Sequence, residues 1–252
     1  MKRTSIREFD ELLVALGVAR NDSIFVHAFL PSFGVIEGGV KTVIHAMRER
    51  IGPKGNLIAP TFTASYQRGE IFDVADSVCF NGALSEGVRK LDGAIRSLCP
   101  LFSMAAIGGD AADLMERSNK NCFGKGSVYD HLFAQNVKFV GCGIDWDQGF
   151  SLFMHLERLA EIPFRREKTY HGETRLADGV LIKDEAVHFE RREDISWRRK
   201  RGPFCEQLVE KGVIREVVRD GCAHRLVEAK AVGEITVKAL KENPWVMAES
   251  TK

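Results

Sequence analysis

The chain has 252 residues, of which 44% are hydrophobic and 28% charged. It is therefore long enough to bury a large core and has the balance of a globular protein. Its formal net charge of +1 excludes a global field that would recruit nucleic acid or a membrane surface. The six cysteines, Cys79, Cys99, Cys122, Cys142, Cys205 and Cys222, form no CxxC pair and no metal-ligand spacing, so no metal is expected. The charged opening MKRTSIREFDELLVAL is unlike a signal peptide, and no apolar run approaches the ~20 residues that cross a bilayer. The expectation is a cytoplasmic, single-domain protein with reduced thiols and neither nucleic acid nor membrane as a partner.

In chain order, the spacing of Ile6, Phe9, Leu12, Leu13 and Leu16 predicts a helix over 4–17, capped by Thr4 or Ser5. A buried strand follows at 23–27, then a loop, then an amphipathic helix over 40–51 that Gly52-Pro53 stops, then a strand at 57–59. This strand–loop–helix–strand unit predicts a parallel pairing with a right-handed crossover. Residues 60–81 form a long irregular connection of the kind that often carries function. Helices are expected at 83–91, 110–117 and 126–135, the last capped by Ser127, with a strand ending the segment 96–107. Residues 137–143 (VKFVGCG) read as the clearest strand, and a helix over 150–161 follows it.

After Pro163 the composition turns charged. Weak alternation near 187–190 suggests strands with exposed faces. The basic cluster Arg191, Arg192 and Arg198 to Arg201 is offset by Glu190, Glu193 and Asp194 and reads as a solvated face. A helix running into a strand is expected over 204–217, a strand at 223–227 and a last helix over 226–240. The fold expected is α/β: a mostly parallel central sheet flanked by helices over about 1–163, with a smaller α+β C-terminal lobe over about 164–252.

Chemistry concentrates in 143–163, GIDWDQGFSLFMHLERLAEIP. It holds Asp145, Asp147, His155, Glu157 and Glu161 around a strand end and the following helix. Asp145 and Asp147 lie where ligands of α/β proteins bind. His155 and Glu157 are the nearest imidazole and carboxylate, yet residues two apart do not share a helical face, whereas Glu157 and Glu161 do. The other glycine-bearing loop, with Gly34, Gly38 and Gly39 opening a helix, is neither a Walker A loop nor GxGxxG.

Several stretches resemble, in order, the aminoglycoside 3-N-acetyltransferase family. VHAFLPSFGVIEGGVKTVIHAM resembles its VHSSLxxLGxVxGGxxTVIxAL, and GPKGNLIAPTFT its GPxGTLxMPTF. FNGALSEGVRKLDGAIRSLCPLFSMAAIG, CFGKGSVYDHLFAQNVKFVGCGID and HRLVEAKAVGEITVKALKENPWVM are similar to later family segments. The resemblance implies an acetyl-coenzyme A-dependent N-acetyltransferase acting on a small-molecule amine, an amino-sugar or aminoglycoside, as a monomer or homodimer. It implies direct transfer with a His/carboxylate base, His155 and Glu157. The family usually has His three residues before Glu, a position that holds Met154 here. His27, His171 and His188 are the other imidazoles open to the role. The resemblance also implies cofactor contacts from His27, Leu30, Pro31, Ser32, Phe33 and Gly34, with Thr61, Arg96, Ser97 and Ser103 at further family positions. Asp145, Asp147 and Glu161 would suit a cationic substrate. The alternatives are a non-catalytic coenzyme A-binding relative that has lost the base, and a ping-pong enzyme acylated on Cys99.

Overall fold

Alternation builds the centre of the molecule. In the computed structural model, which describes residues 3–116 and 120–251, Ile24 and Val26 face one core while Phe25 faces another. Leu57 and Ala59 are divided in the same way from Ile58, and Val140 and Cys142 from Phe139. This period of two is that of strands buried on both faces. The strands join in one seven-stranded sheet, in the order Arg215–Arg219, Cys222–Glu228, Lys138–Cys142, Ser23–Ala28, Asn56–Pro60, Met104–Gly108, Ile95–Arg96.

Helices cover both faces. Ile6–Ala15, Gly39–Ile51 and Ala83–Arg89 bury Leu12, Leu13, Val43, Met47, Leu84 and Val88 on one side. Val128–Ala134, Leu152–Leu159, Gly202–Glu210 and Ala229–Glu242 bury Leu132, Leu156, Leu208 and Val232 on the other. The first helix starts at Ser5, whose hydroxyl accepts from the Glu8 N–H while the Glu8 carboxylate accepts from the Ser5 N–H. That reciprocal capping explains the boundary.

Three expectations change. The sheet is mixed: Ser23–Ala28 pairs in parallel with Asn56–Pro60 and Lys138–Cys142, as the crossover predicts, but the outer strands pair antiparallel. Only the two edge pairs follow short connections, which reverse the chain without a crossover helix; Asn56–Pro60 with Met104–Gly108, and Lys138–Cys142 with Cys222–Glu228, pair antiparallel across long ones. Residues 164–252 do not form a lobe of their own. Their strands Arg215–Arg219 and Cys222–Glu228 extend the central sheet, and Ala229–Glu242 packs into its core. The long hairpin Arg165–Arg175 and Leu181–Arg191 forms a separate sheet with Phe72–Asp73 from the 60–81 connection, and Trp197–Arg199 pairs with Ala248–Ser250 in another. Last, the helix expected over 110–117 spans Ala111–Glu116, and Arg117 lies outside the described residues. Among the described residues no helix is long and apolar enough to cross a membrane.

Candidate active site

Because the three central strands run parallel, the loops that follow Ala28, Pro60 and Cys142 leave from the same edge of the sheet. Ligands of open α/β sheets bind at that edge. Here the loops and the Arg165–Arg175/Leu181–Arg191 hairpin enclose a cleft of about 510 Å³. His27 and Ser151 line it, as do Phe62, Phe80 and Phe102 and, from the hairpin, Tyr170 and His188. The aromatic side chains pack edge to face, with Phe62 4.9 Å from Phe102 and 6.1 Å from Phe80 between ring centroids.

His27 sits at the end of its strand. Its Nε2 lies 2.9 Å from Ser151 Oγ and accepts from the Ser151 N–H at 3.3 Å. Tyr129 donates its hydroxyl to the same Ser151 Oγ at 2.6 Å. The three side chains thus form a chain from the core to the cleft. Burial pulls the His27 pKa down to about 3, so the ring is neutral near pH 7 and keeps a lone pair. His188 also reaches the cleft, against Phe102 at 4.7 Å. Its pKa falls to about 3 through burial and the nearby Arg165 and Lys168. His171 is exposed on a separate groove, 3.4 Å from Glu185.

The expected His155–Glu157 pair is not formed. His155 is 0% exposed. Its ring lies 5.7 Å from Phe133 and 6.3 Å from Tyr129, and Nδ1 accepts the Gly124 N–H at 3.1 Å. Burial lowers its pKa to about 4. Glu157 turns the other way, with Oε1 2.8 Å from Arg201 Nη2 and Oε2 2.8 Å from Arg165 Nε. The cause is helical geometry, since two residues advance the direction by about 200°. Burial opposes the Glu157 charge, but Arg201 and Arg165 outweigh it and hold the carboxyl below its ordinary range. The residue of this helix that faces the cleft is Met154, together with Ser151 at its start.

The acids expected to hold a cation lie elsewhere. Asp145 is exposed and accepts the Asp147 N–H at 2.8 Å. Asp147 accepts the Arg201 N–H at 2.8 Å and, through its carbonyl, Arg199 Nη1 at 3.3 Å. Glu161 is exposed, 3.7 Å from Arg158. Asp147 therefore positions two arginines. Arg165, Arg191, Arg199 and Arg201 all line the cleft, which sequence reasoning missed. Arg198 and Lys200 are solvated and paired with Glu249, as a solvated face requires, but Arg199 and Arg201 turn inward. The signal was period two in the Trp197–Arg199 strand, where Trp197 is buried and Arg199 follows it on the same face.

Of the loop residues, Leu30–Phe33 form a single 3₁₀ turn. Ser32 Oγ donates to the Phe29 carbonyl at 2.7 Å, and Phe29 N–H donates to the Cys142 carbonyl at 2.9 Å. Phe33 is core, packed on Phe9 and His224, whereas Phe29 is 56% exposed and is the aromatic this loop presents. Gly34 has φ +69°. Gly38 starts the helix Gly39–Ile51 without a side-chain cap, so the first N–H groups of that helix are open to an anion.

Thr61, Arg96, Ser97 and Ser103 are buried and bonded to one another or to backbone. Arg96 Nε donates to Thr61 Oγ1 and Ser103 Oγ, Nη2 to the Thr61 carbonyl and Nη1 to that of Ser77. Ser97 Oγ accepts the Met104 N–H at 3.0 Å. They bind the sheet to the 60–81 connection and present no free group to the cleft. Cys99 is buried, its thiol 3.6 Å from that of Cys122, and does not line the cleft. Among the described residues no cluster of three His, Cys, Asp or Glu side chains is placed to hold a metal.

The sequence profile of the aminoglycoside 3-N-acetyltransferase family matches residues 25–241. Aminoglycoside N(3)-acetyltransferase III of a Salmonella species is 30% identical over an alignment of 182 residues, with 64% of this chain and 62% of that protein covered. Aminoglycoside N(3)-acetyltransferase IX of Micromonospora chalcea is 27% identical over an alignment of 178 residues, with 63% of each covered. The match thus spans less than two thirds of the length of these curated relatives. Among solved structures, AAC-IIIb in its binary complex with CoASH superposes with a TM-score of 0.82 at 25% identity, covering 96% of this chain and 97% of that one. The chain belongs to the aminoglycoside 3-N-acetyltransferase family.

Proposed function

We propose that this protein is an N-acetyltransferase that moves the acetyl group of acetyl-coenzyme A to a primary amine bound in the cleft. The observation that carries the reading is His27, bonded to Ser151 at 2.9 Å and facing a cleft at the carboxyl edge of the sheet. Family membership and the coenzyme A complex of AAC-IIIb support the cosubstrate.

Acetyl-coenzyme A supplies an activated thioester: the amine lone pair forms the C–N bond, the C–S bond breaks, and the proton lost by nitrogen ends on the thiol. The residues present fit such a cosubstrate. The exposed Phe29 offers an apolar contact and the uncapped start of Gly39–Ile51 offers N–H groups to phosphate. His27 accepts the amine proton, directly or through Ser151 Oγ, and Tyr129 fixes Ser151 in place. His155 and Glu157 serve instead as supports of the helix that carries Ser151.

The chain is tested by incubating it with acetyl-coenzyme A and a panel of amines while following free thiol. Amine-dependent release of thiol is expected. Tight coenzyme A binding without release by any amine would favour the non-catalytic relative. Acetylated Cys99 in the absence of amine, seen by mass spectrometry, would favour the ping-pong route.

A further inference from the structure

The family's named substrates are polycations, yet this cleft is lined by guanidinium groups. Arg165, Arg199 and Arg201 gather around the single carboxylate of Glu157, which lies 2.8 Å from two of them. Among the described residues Arg199 has no carboxylate within ion-pair distance and is held by the Asp147 carbonyl. The side chains of Arg165 and Arg201 are 3% and 1% exposed. Even so, Arg165 Nη2, Arg199 Nε and Arg201 Nε are buried without a hydrogen-bond partner. A buried donor left unpaired costs stability, and a buried charge left unpaired costs more. Three cations around one anion in the wall of an open cleft describe a site that lacks a counter-ion.

The other lining groups agree. Arg191 joins the same wall, stacked on Trp197 at 4.1 Å. The two acids in the lining are engaged or solvated. Glu190 accepts the Tyr170 hydroxyl at 2.7 Å and lies 3.6 Å from both Arg166 and Lys168. Glu193 is exposed. Burial first, and the neighbouring Arg201 after it, bring the Arg199 pKa down to about 10, as loss of water and a like charge both do.

We propose that the acceptor amine carries an anionic group, a carboxylate or a phosphate, seated on Arg165, Arg199 and Arg201. This rests on the acetyl-transfer reading above, in which the amine nitrogen lies toward His27. The planar forks of arginine suit both oxyanions. The same charges repel a polycationic aminoglycoside, so the cleft discriminates by repulsion as well as attraction.

The test follows thiol release by the full chain with glucosamine, glucosamine 6-phosphate, glucosaminuronic acid and gentamicin, each at low and high salt. Coenzyme A and glucosamine 6-phosphate binding are measured separately by calorimetry. A kcat/KM about 10-fold or more higher for one of the anionic sugars than for glucosamine is expected, the gain of one charge-assisted contact, and the better of the two identifies the anion. R199Q should remove most of that preference, while R199K keeps more of it. R199Q should melt no lower than the wild type, since it removes a half-buried cation with no carboxylate partner among the described residues. Equal use of glucosamine and its anionic derivatives, or best use of gentamicin, would overturn the anion site and leave acetyl transfer standing. Loss of coenzyme A affinity in R199Q, with the sugar preference intact, would assign the guanidiniums to the cosubstrate phosphates and overturn it too. Binding of glucosamine 6-phosphate that R199Q abolishes, with no thiol release by any amine, would uphold the anion site and sink acetyl transfer.

Discussion

Glu157 Oε2 lies 2.8 Å from Arg165 Nε inside the core, so the carboxylate nearest in sequence to His155 is committed to an arginine. Breaking a buried pair by removing one partner leaves the other charge uncompensated, at a cost of about 3–5 kcal/mol. Glu157→Gln is therefore expected to lower unfolding free energy by that amount, measured by denaturant titration. Because the folded carboxyl titrates below its ordinary value, its contribution is present above pH 4.5 and is lost as pH falls through the lower folded value. A Glu157→Gln variant as stable as the wild type would remove the arginine pairing from the account.

His155→Ala is expected to change stability rather than catalysis. It deletes a buried ring and strands the Gly124 N–H that now donates to Nδ1. A loss of about 2–4 kcal/mol follows from the cavity and the unpaired donor together. The folded variant should turn over within a few-fold of the wild type. A hundred-fold loss of kcat without loss of stability would return His155 to the chemistry.

The buried His155 and His188 and the half-buried His27 make the fold acid-sensitive. His27 and His188 titrate near 3 and His155 near 4 in the folded chain, against 6.5 when unfolded. A depressed folded pKa contributes stability that is complete above pH 6.5 and is lost as pH falls toward those values. The melting temperature should drop steadily from pH 6.5 to 4, and replacing His155 with Phe should flatten part of that slope. A melting temperature constant over the interval would contradict the burial of these rings.

Gly143 is where the 29–34 loop and the helix-bearing strand meet. A Cβ there would stand 2.1 Å from Ser32 Oγ, and its φ is +63°, a conformation glycine adopts without strain. Gly143→Ala should displace the 29–34 loop and weaken coenzyme A binding about 10-fold or more, a loss on the scale of one misplaced contact. Unchanged affinity by calorimetry would separate that loop from the cosubstrate.

Much of the fold was legible because periodicity reports burial. The helices at Ile6–Ala15 and Gly39–Ile51 and the strands Ser23–Ala28 and Lys138–Cys142 follow their apolar spacing within a residue or two. The antiparallel outer strands were not, since Met104–Gly108 and Cys222–Glu228 reach their partners across long connections whose direction leaves no mark in local spacing. The Arg165–Arg175/Leu181–Arg191 hairpin hid behind charge because most of it is exposed. The cleft edge was legible from Asp145 and Asp147 at a strand end, but the roles were not. Asp147 holds Arg201, and the imidazoles at the cleft are His27, from a strand more than 100 residues earlier, and His188, from the hairpin. Contacts between distant segments such as His27 and Ser151 leave no mark in local spacing.

The measurement closest to the central claim compares amine-dependent thiol release from acetyl-coenzyme A by the wild type, His27→Asn and His155→Phe. The account predicts release by the wild type, a loss of about 10² in kcat for His27→Asn, the lower range for a general base, and near-normal kcat for folded His155→Phe. Release that survives in His27→Asn and vanishes in His155→Phe would contradict it.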